Sequence, residues 1–146
     1  MAHPSTLDTL LGLASTDTDN AAKRLGEALS ASRTAEEKLE MLHQYREEYQ
    51  ARFNASLAQG LTASGYRNFQ LFLGKLDQAI AGQQQIVQDA QHRINRERGA
   101  WQACERKRKS YDLLVTRAEQ AELKKEGKRD QKAMDEHAAC QHFYKR

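Results

Sequence analysis

The feature that most constrains this chain is a seven-residue repeat that runs from Leu7 to Phe53. One row reads Leu7, Ala14, Ala21, Ala28, Ala35, Leu42, Tyr49, and its companion, four residues on, reads Leu11, Thr18, Leu25, Ser32, Leu39, Arg46, Phe53. Eleven of these fourteen positions are apolar. Apolar residues recurring every ~3.5 residues keep facing one neighbour only on a helix wound against another helix, so the pattern predicts a coiled-coil seam. A second pair of rows follows. Phe69, Leu76, Gln83, Ala90, Glu97, Cys104, Tyr111 and Ala118 form one, and Leu73, Ile80, Val87, Ile94, Trp101, Arg108 and Val115 the other.

Between the two seams lie turn signals. Gly60 stands where a left-handed helix C-cap would fall, and Thr62-Ala63-Ser64-Gly65 has the composition of a turn. Pro4 precedes the first seam, and Ser5-Thr6-Leu7-Asp8 offers a capping box. A short loop between long helices makes them antiparallel neighbours. The expected fold is all-α: a long two-helix antiparallel coiled coil, or helical hairpin, with a C-terminal overhang. One coiled-coil domain would occupy residues 1–146, with helix 1 at about 5–58, the bend at about 59–66 and helix 2 at about 67–140. Centring the bend near residue 63 sets Phe53 against Leu73, Leu39 against Val87, Leu25 against Trp101 and Leu11 against Val115. Roughly the last 25 residues are then left without a partner, as a projecting helix or a partly disordered tail.

Composition narrows the alternatives. Only 39% of the residues are hydrophobic, 29% are charged, the mean hydropathy is −0.87, and Pro4 is the single proline. That leaves too little apolar surface for a sandwich, barrel or doubly wound sheet, while Gln, Glu, Lys, Arg and Ala favour helices. No stretch approaches the ~18 apolar residues that span a bilayer, so no direct membrane insertion is expected. Met1–Ser5 lacks the layout of a secretory signal, and Cys104 and Cys140 form no CxxC, which suits a reducing cytoplasm.

Charge is unevenly distributed. Residues 1–58 carry a net −3, residues 59–91 are neutral and residues 92–146 carry +6. The basic excess is densest at Arg106-Lys107-Arg108-Lys109 and at Lys124, Lys125, Lys128, Arg129 and Lys132. Such a tail suits a solvated face, an acidic protein surface or cavity, anionic lipid or nucleic acid, and charge alone does not choose. It lacks interleaved aromatics or a zipper placement, which counts against nucleic acid.

No catalytic constellation is present, and no cofactor is expected: there is no GxxxxGK[ST], no GxGxxG after a strand and no HExxH. His137, Cys140 and His142 could form part of a zinc site, but they lack a fourth ligand and a known spacing, so a frayed tail is the expectation. His43 and His92 read as surface residues, and Cys104 as a small seam hydrophobe. A third apolar row, Phe72, Ala79 and Ile86, is more than a two-helix seam needs, and Tyr45 stands beside Leu42 and Tyr49 in the same way. Part of that wide stripe must face water, which makes it a candidate protein-binding face unless self-association buries it.

Several segments together resemble the flagellar export protein FliJ family. They are Leu7-x-x-Leu10, Ala21-Ala22, Leu25-Gly26, Leu42-x-x-Tyr45-x-x-x-Tyr49, Phe72-x-x-x-Leu76-x-x-Ala79 and the tail Asp130-Gln131-Lys132-x-Met134-Asp135-Glu136. The resemblance covers almost the whole chain. It implies a non-enzymatic stalk of the flagellar type III export apparatus, similar to the central stalk of rotary ATPases, with the injectisome stalk proteins as near neighbours. The terminal half would insert into the hexameric export ATPase ring, and Lys124, Lys125, Arg129 and Lys132 are the residues assigned to that contact. The resemblance also implies contact with the cytoplasmic domain of the export gate and with export chaperones. Leu42, Tyr45, Tyr49, Phe72, Leu76 and Ala79 would form that face, flanked by Lys38 and Gln83. The implied location is the cytoplasm, at the inner face of the cell membrane beneath the flagellum. Leu42, Tyr49 and Leu76 also lie on seam rows, so the seam and a binding face compete for them. Two other classes stay open on the residues alone: a nucleic-acid-binding coiled coil using Arg106–Lys132, and a structural coiled coil that dimerises.

Overall fold

The computed structural model describes residues 4–144, and the first three residues of the Met1–Ser5 opening lie outside it. It contains two helices, α1 at Pro4–Gln59 and α2 at Ala63–Tyr144, packed on each other as an antiparallel hairpin. Helix α1 begins at Pro4, a residue suited to the first helical turn because its missing N–H has no partner to lose there. Ser5 therefore sits inside the helix rather than capping it, and its carbonyl accepts from the Thr9 hydroxyl at 2.9 Å.

The turn is shorter than its sequence suggests. Gly60 adopts φ 92°, the left-handed conformation that closes α1, and its N–H donates to the Leu57 carbonyl at 3.2 Å. Only Gly60, Leu61 and Thr62 separate the helices. The Thr62 hydroxyl accepts from the Gly65 N–H at 3.1 Å, and the Thr62 carbonyl accepts from Tyr66 at 2.9 Å. This is an N-cap, so Ala63, Ser64 and Gly65 become the first turn of α2 instead of loop, and α2 starts earlier than residue 67. A side chain at Gly65 would meet Leu61 and Thr62 at 3.1 Å, so its glycine keeps the turn closed.

The chain divides into two compact units. The unit at residues 21–101 holds the turn and both flanking arms. Its α1 seam is built on small residues: Ala21, Ala28, Ser32 and Ala35 are all buried. Leu73, Leu76, Ile80 and Ile94 supply bulk from α2, so large side chains of one helix fill against the small row of the other. Gln83 donates to the Ala35 carbonyl at 3.0 Å, Gln91 to Glu36 at 3.2 Å, and Arg24 pairs with Glu97 at 3.5 Å. The expected register needs correction. Phe53 stacks on Phe69 at 5.2 Å and on Tyr66 at 5.5 Å, rather than facing Leu73. The pairing lies one helical turn nearer the bend, because the Thr62 cap shortens the connection.

The other unit joins residues 1–20 to 102–146. Leu7, Ala14 and Thr18 are buried, and the Thr18 hydroxyl is satisfied by the Ala14 carbonyl at 2.9 Å. Cys104, Arg108, Tyr111, Val115 and Ala118 are half-buried on α2. Leu7 lines a pocket with Val115, Ala118, Glu119 and Glu122, which agrees with an expected partner near residue 119. From Ala121 to Tyr144 every residue is exposed, and the helix continues through Gly127. The expected overhang is thus helical. Its charge is smaller than the sequence reading gave it: residues 121–146 carry seven Lys/Arg and five Asp/Glu, a net +2. The basic excess of the C-terminal third lies mostly before the overhang, at 92–120.

Candidate functional site

The six residues assigned to a partner-binding face fall into three environments in the 21–101 unit. Leu76 is buried in the seam, so packing claims it. Tyr49 and Phe72 are half-buried and stack on each other at 4.3 Å. Leu42, Tyr45 and Ala79 line an open groove of about 480 Å³ together with Lys38, Met41 and Gln83. Tyr45 is 48% exposed, and its ring meets Phe72 edge-on at 6.2 Å. Burial thus separates the six, with Leu76 alone in the core.

These rings belong to a longer chain. Tyr45, Phe72, Tyr49, Phe69, Phe53 and Tyr66 follow one another with centroids 4.3 to 6.2 Å apart, alternating between α1 and α2 down to the turn. Tilted and edge-on aromatic pairs add about 0.5–1.5 kcal/mol each beyond area burial. The groove is thus mounted on the most strongly cross-linked part of the unit. Arg46 adds an ion pair to Asp77 across the helices. That hydrogen bond and the Asp77 charge raise the guanidinium above its usual value, so Arg46 stays charged at every ordinary pH.

Met41 is the residue the sequence reading missed. It is 66% exposed and lines the groove. Its signal was present: Lys38, Met41 and Tyr45 follow a three-then-four spacing, which puts them on one face beside the seam. The third row behaves as expected at its far end, where Ile86 is 52% exposed, and Ala79 is exposed as well.

The second candidate set, Lys124, Lys125, Arg129 and Lys132, is exposed on the overhang. Helical spacing gathers these four with Lys128 on one side, while Glu122, Glu126 and Asp130 follow each other at i+4 on the adjoining side. Asp135 and Glu136 fall back on the basic side, at i+3 and i+4 from Lys132. Arg129 reaches back to Glu122 at 3.5 Å, and both side chains remain largely exposed. Elsewhere in the same unit, Arg108 binds Glu105 at 2.6 Å; this hydrogen bond leads the causes that hold the Glu105 carboxyl below its usual range.

Among the described residues, no three His, Cys, Asp or Glu side chains converge as metal ligands would, and no helix is long and apolar enough to cross a membrane. His137 instead sits 3.1 Å from Gln141 on the overhang. His43 is half-buried rather than a surface residue, and His92 is exposed.

Sequence comparison assigns the hairpin. Residues 3–146 match the family described as flagellar FliJ protein. The chain belongs to the FliJ family. The flagellar FliJ protein of Escherichia coli (strain K12) is 32% identical over 138 residues, covering 94% of each chain. The flagellar FliJ protein of Salmonella typhi is 31% identical over 138 residues, again with 94% of each covered. The match includes both candidate surfaces and the turn between the FliJ-like arms.

Proposed function

We propose that this FliJ-family chain is a non-enzymatic stalk and coupling component of the flagellar type III protein export apparatus. The family match across nearly the whole chain carries the reading, since it brings with it a flagellar role and an export context. In this reading the overhang occupies the hexameric export ATPase ring. A bare helix exposed on every side suits a close-fitting pore, because each face is available to a surrounding wall. Lys124, Lys125, Arg129 and Lys132 meet acidic positions of the ring, and Glu122, Glu126 and Asp130 meet basic ones. With a net charge of only +2 over residues 121–146, that contact depends on orientation more than on bulk attraction, which weakens the nucleic-acid alternative for this segment.

The groove of Leu42, Tyr45 and Ala79, with Met41, binds the cytoplasmic domain of the export gate or an export chaperone. Tyr49 and Phe72 support it, and Leu76 contributes only through the seam. Exposed aromatic and methionine side chains beside a rigid base are the composition of an interaction hot spot. The protein then works at the cytoplasmic face of the membrane, in the export machinery.

The test is binding of the full chain to its cognate export ATPase and, separately, to the gate's cytoplasmic domain. Replacing Lys124, Lys125, Arg129 and Lys132 by Gln should weaken ATPase binding at least about tenfold and spare gate binding. Met41→Ser with Tyr45→Ser should do the reverse. Loss of both by either variant, or of neither, contradicts the division of labour.

A further inference from the structure

Carboxylates are spread along both helices except around the turn. From Tyr49 to Leu76, 28 consecutive residues contain no Asp or Glu, whereas the next longest such run is the 11 residues from Gln78 to Gln88. The acid-free run holds three cations, Arg52, Arg67 and Lys75, all exposed. It also holds three well-exposed large side chains: Leu57 at 44%, Tyr66 at 45% and Leu71 at 66%. Leu71 lies between Arg67 and Lys75 at i−4 and i+4, while Phe69, Leu73 and Leu76 turn the opposite way into the seam.

We propose that the turn end of the hairpin docks on an anionic lipid bilayer. Arg52, Arg67 and Lys75 contact headgroup phosphates, and Leu57, Tyr66 and Leu71 enter the interfacial layer. Basic side chains near an anionic leaflet are attracted individually, and a carboxylate among them would be repelled, so the absence of acids over the whole end fits this surface. Tyr66, whose ring packs on Phe53 and whose hydroxyl accepts from Gln70 at 3.3 Å, is at home at that depth, as is Leu71 between the aliphatic stems of Arg67 and Lys75. An acidic protein partner would call for a recess that receives or supplies an anchor. At this end two helices close through three residues, and the apolar side chains stand outward singly, which suits a fluid surface better. No helix spans the bilayer, so the contact is peripheral. The inference does not rest on the stalk reading, since it uses different residues.

Flotation of the full chain with vesicles of phosphatidylcholine, alone or mixed with phosphatidylglycerol, tests it. The chain should float with the anionic vesicles only, and less so as salt is raised. Arg52→Gln, Arg67→Gln and Lys75→Gln together should reduce binding at least about tenfold, as should Leu57→Asn with Leu71→Asn, with helical circular dichroism unchanged. Arg106→Gln with Lys109→Gln, equally exposed but outside the run, should leave binding intact. Wild-type chain that ignores anionic vesicles, or tip variants that bind as well as wild type, would overturn the proposal. So would tip variants whose defect is confined to binding the gate's cytoplasmic domain, since the end would then be a protein-docking surface. Stimulation of the export ATPase by the tip variants is a separate readout and should be unaffected.

Discussion

At Phe53 two demands meet in one side chain: it fills the seam, 5% exposed, and it links the rings of Phe69 and Tyr66. Phe53→Ala leaves a cavity and breaks the aromatic chain, and should lower stability by about 3–5 kcal/mol in urea unfolding followed by circular dichroism. Met41→Ser, on the groove, should change it by less than about 0.5 kcal/mol, because the native side chain is already mostly in water. Glu105 makes a pH prediction in the other unit. Its folded pKa is lowered, first by the hydrogen bond from Arg108, so its contribution is present above the ordinary carboxylate range and lost as pH falls through the folded value. Acid should therefore loosen the wild-type chain more than Glu105→Gln, measured as the pH dependence of the thermal midpoint. Arg46 and Arg108 have raised values, so their contributions persist at all pH below the ordinary guanidinium value and add no titration near neutrality.

At the scale of the elements, two glycines with open space around them should respond with opposite sign. Gly60 has φ 92°, so Gly60→Ala forces a side chain into the left-handed region and should cost about 1–2 kcal/mol. Gly127 lies within α2, and Gly127→Ala should firm the overhang helix by about 1 kcal/mol, seen as higher helicity on warming. The seam itself could be read from the sequence: every position of the four heptad rows is buried or half-buried, including Thr18, Ser32 and Arg46, which break the apolar pattern. Periodicity fixes which face packs. It does not fix the register, which depended on whether Ala63–Gly65 were loop or helix, and that was decided by one hydroxyl, Thr62 Oγ1, accepting from Gly65. The groove was half visible for a related reason. The surplus row on α2 announced an exposed apolar face, but which of Leu42, Tyr49 and Leu76 served it depended on depth in the seam, a quantity that row membership does not carry.

For the molecule as a whole, charge is distributed far less evenly than the net +3 suggests. The turn end lacks acids altogether, the middle of α2 holds the basic excess, and the overhang carries a net +2 with acids among its lysines. The 121–144 helix is exposed throughout, with Glu122 at its start lining a pocket beside Leu7 and Asp8. The most direct measurement compares the full chain with one ending at residue 120, each added to the isolated cognate export ATPase. Alone, neither should hydrolyse ATP. The full chain should stimulate the ATPase severalfold, and the shortened chain, with unchanged helical packing, should not. Intrinsic turnover by the chain, or equal stimulation by both, would contradict the stalk function.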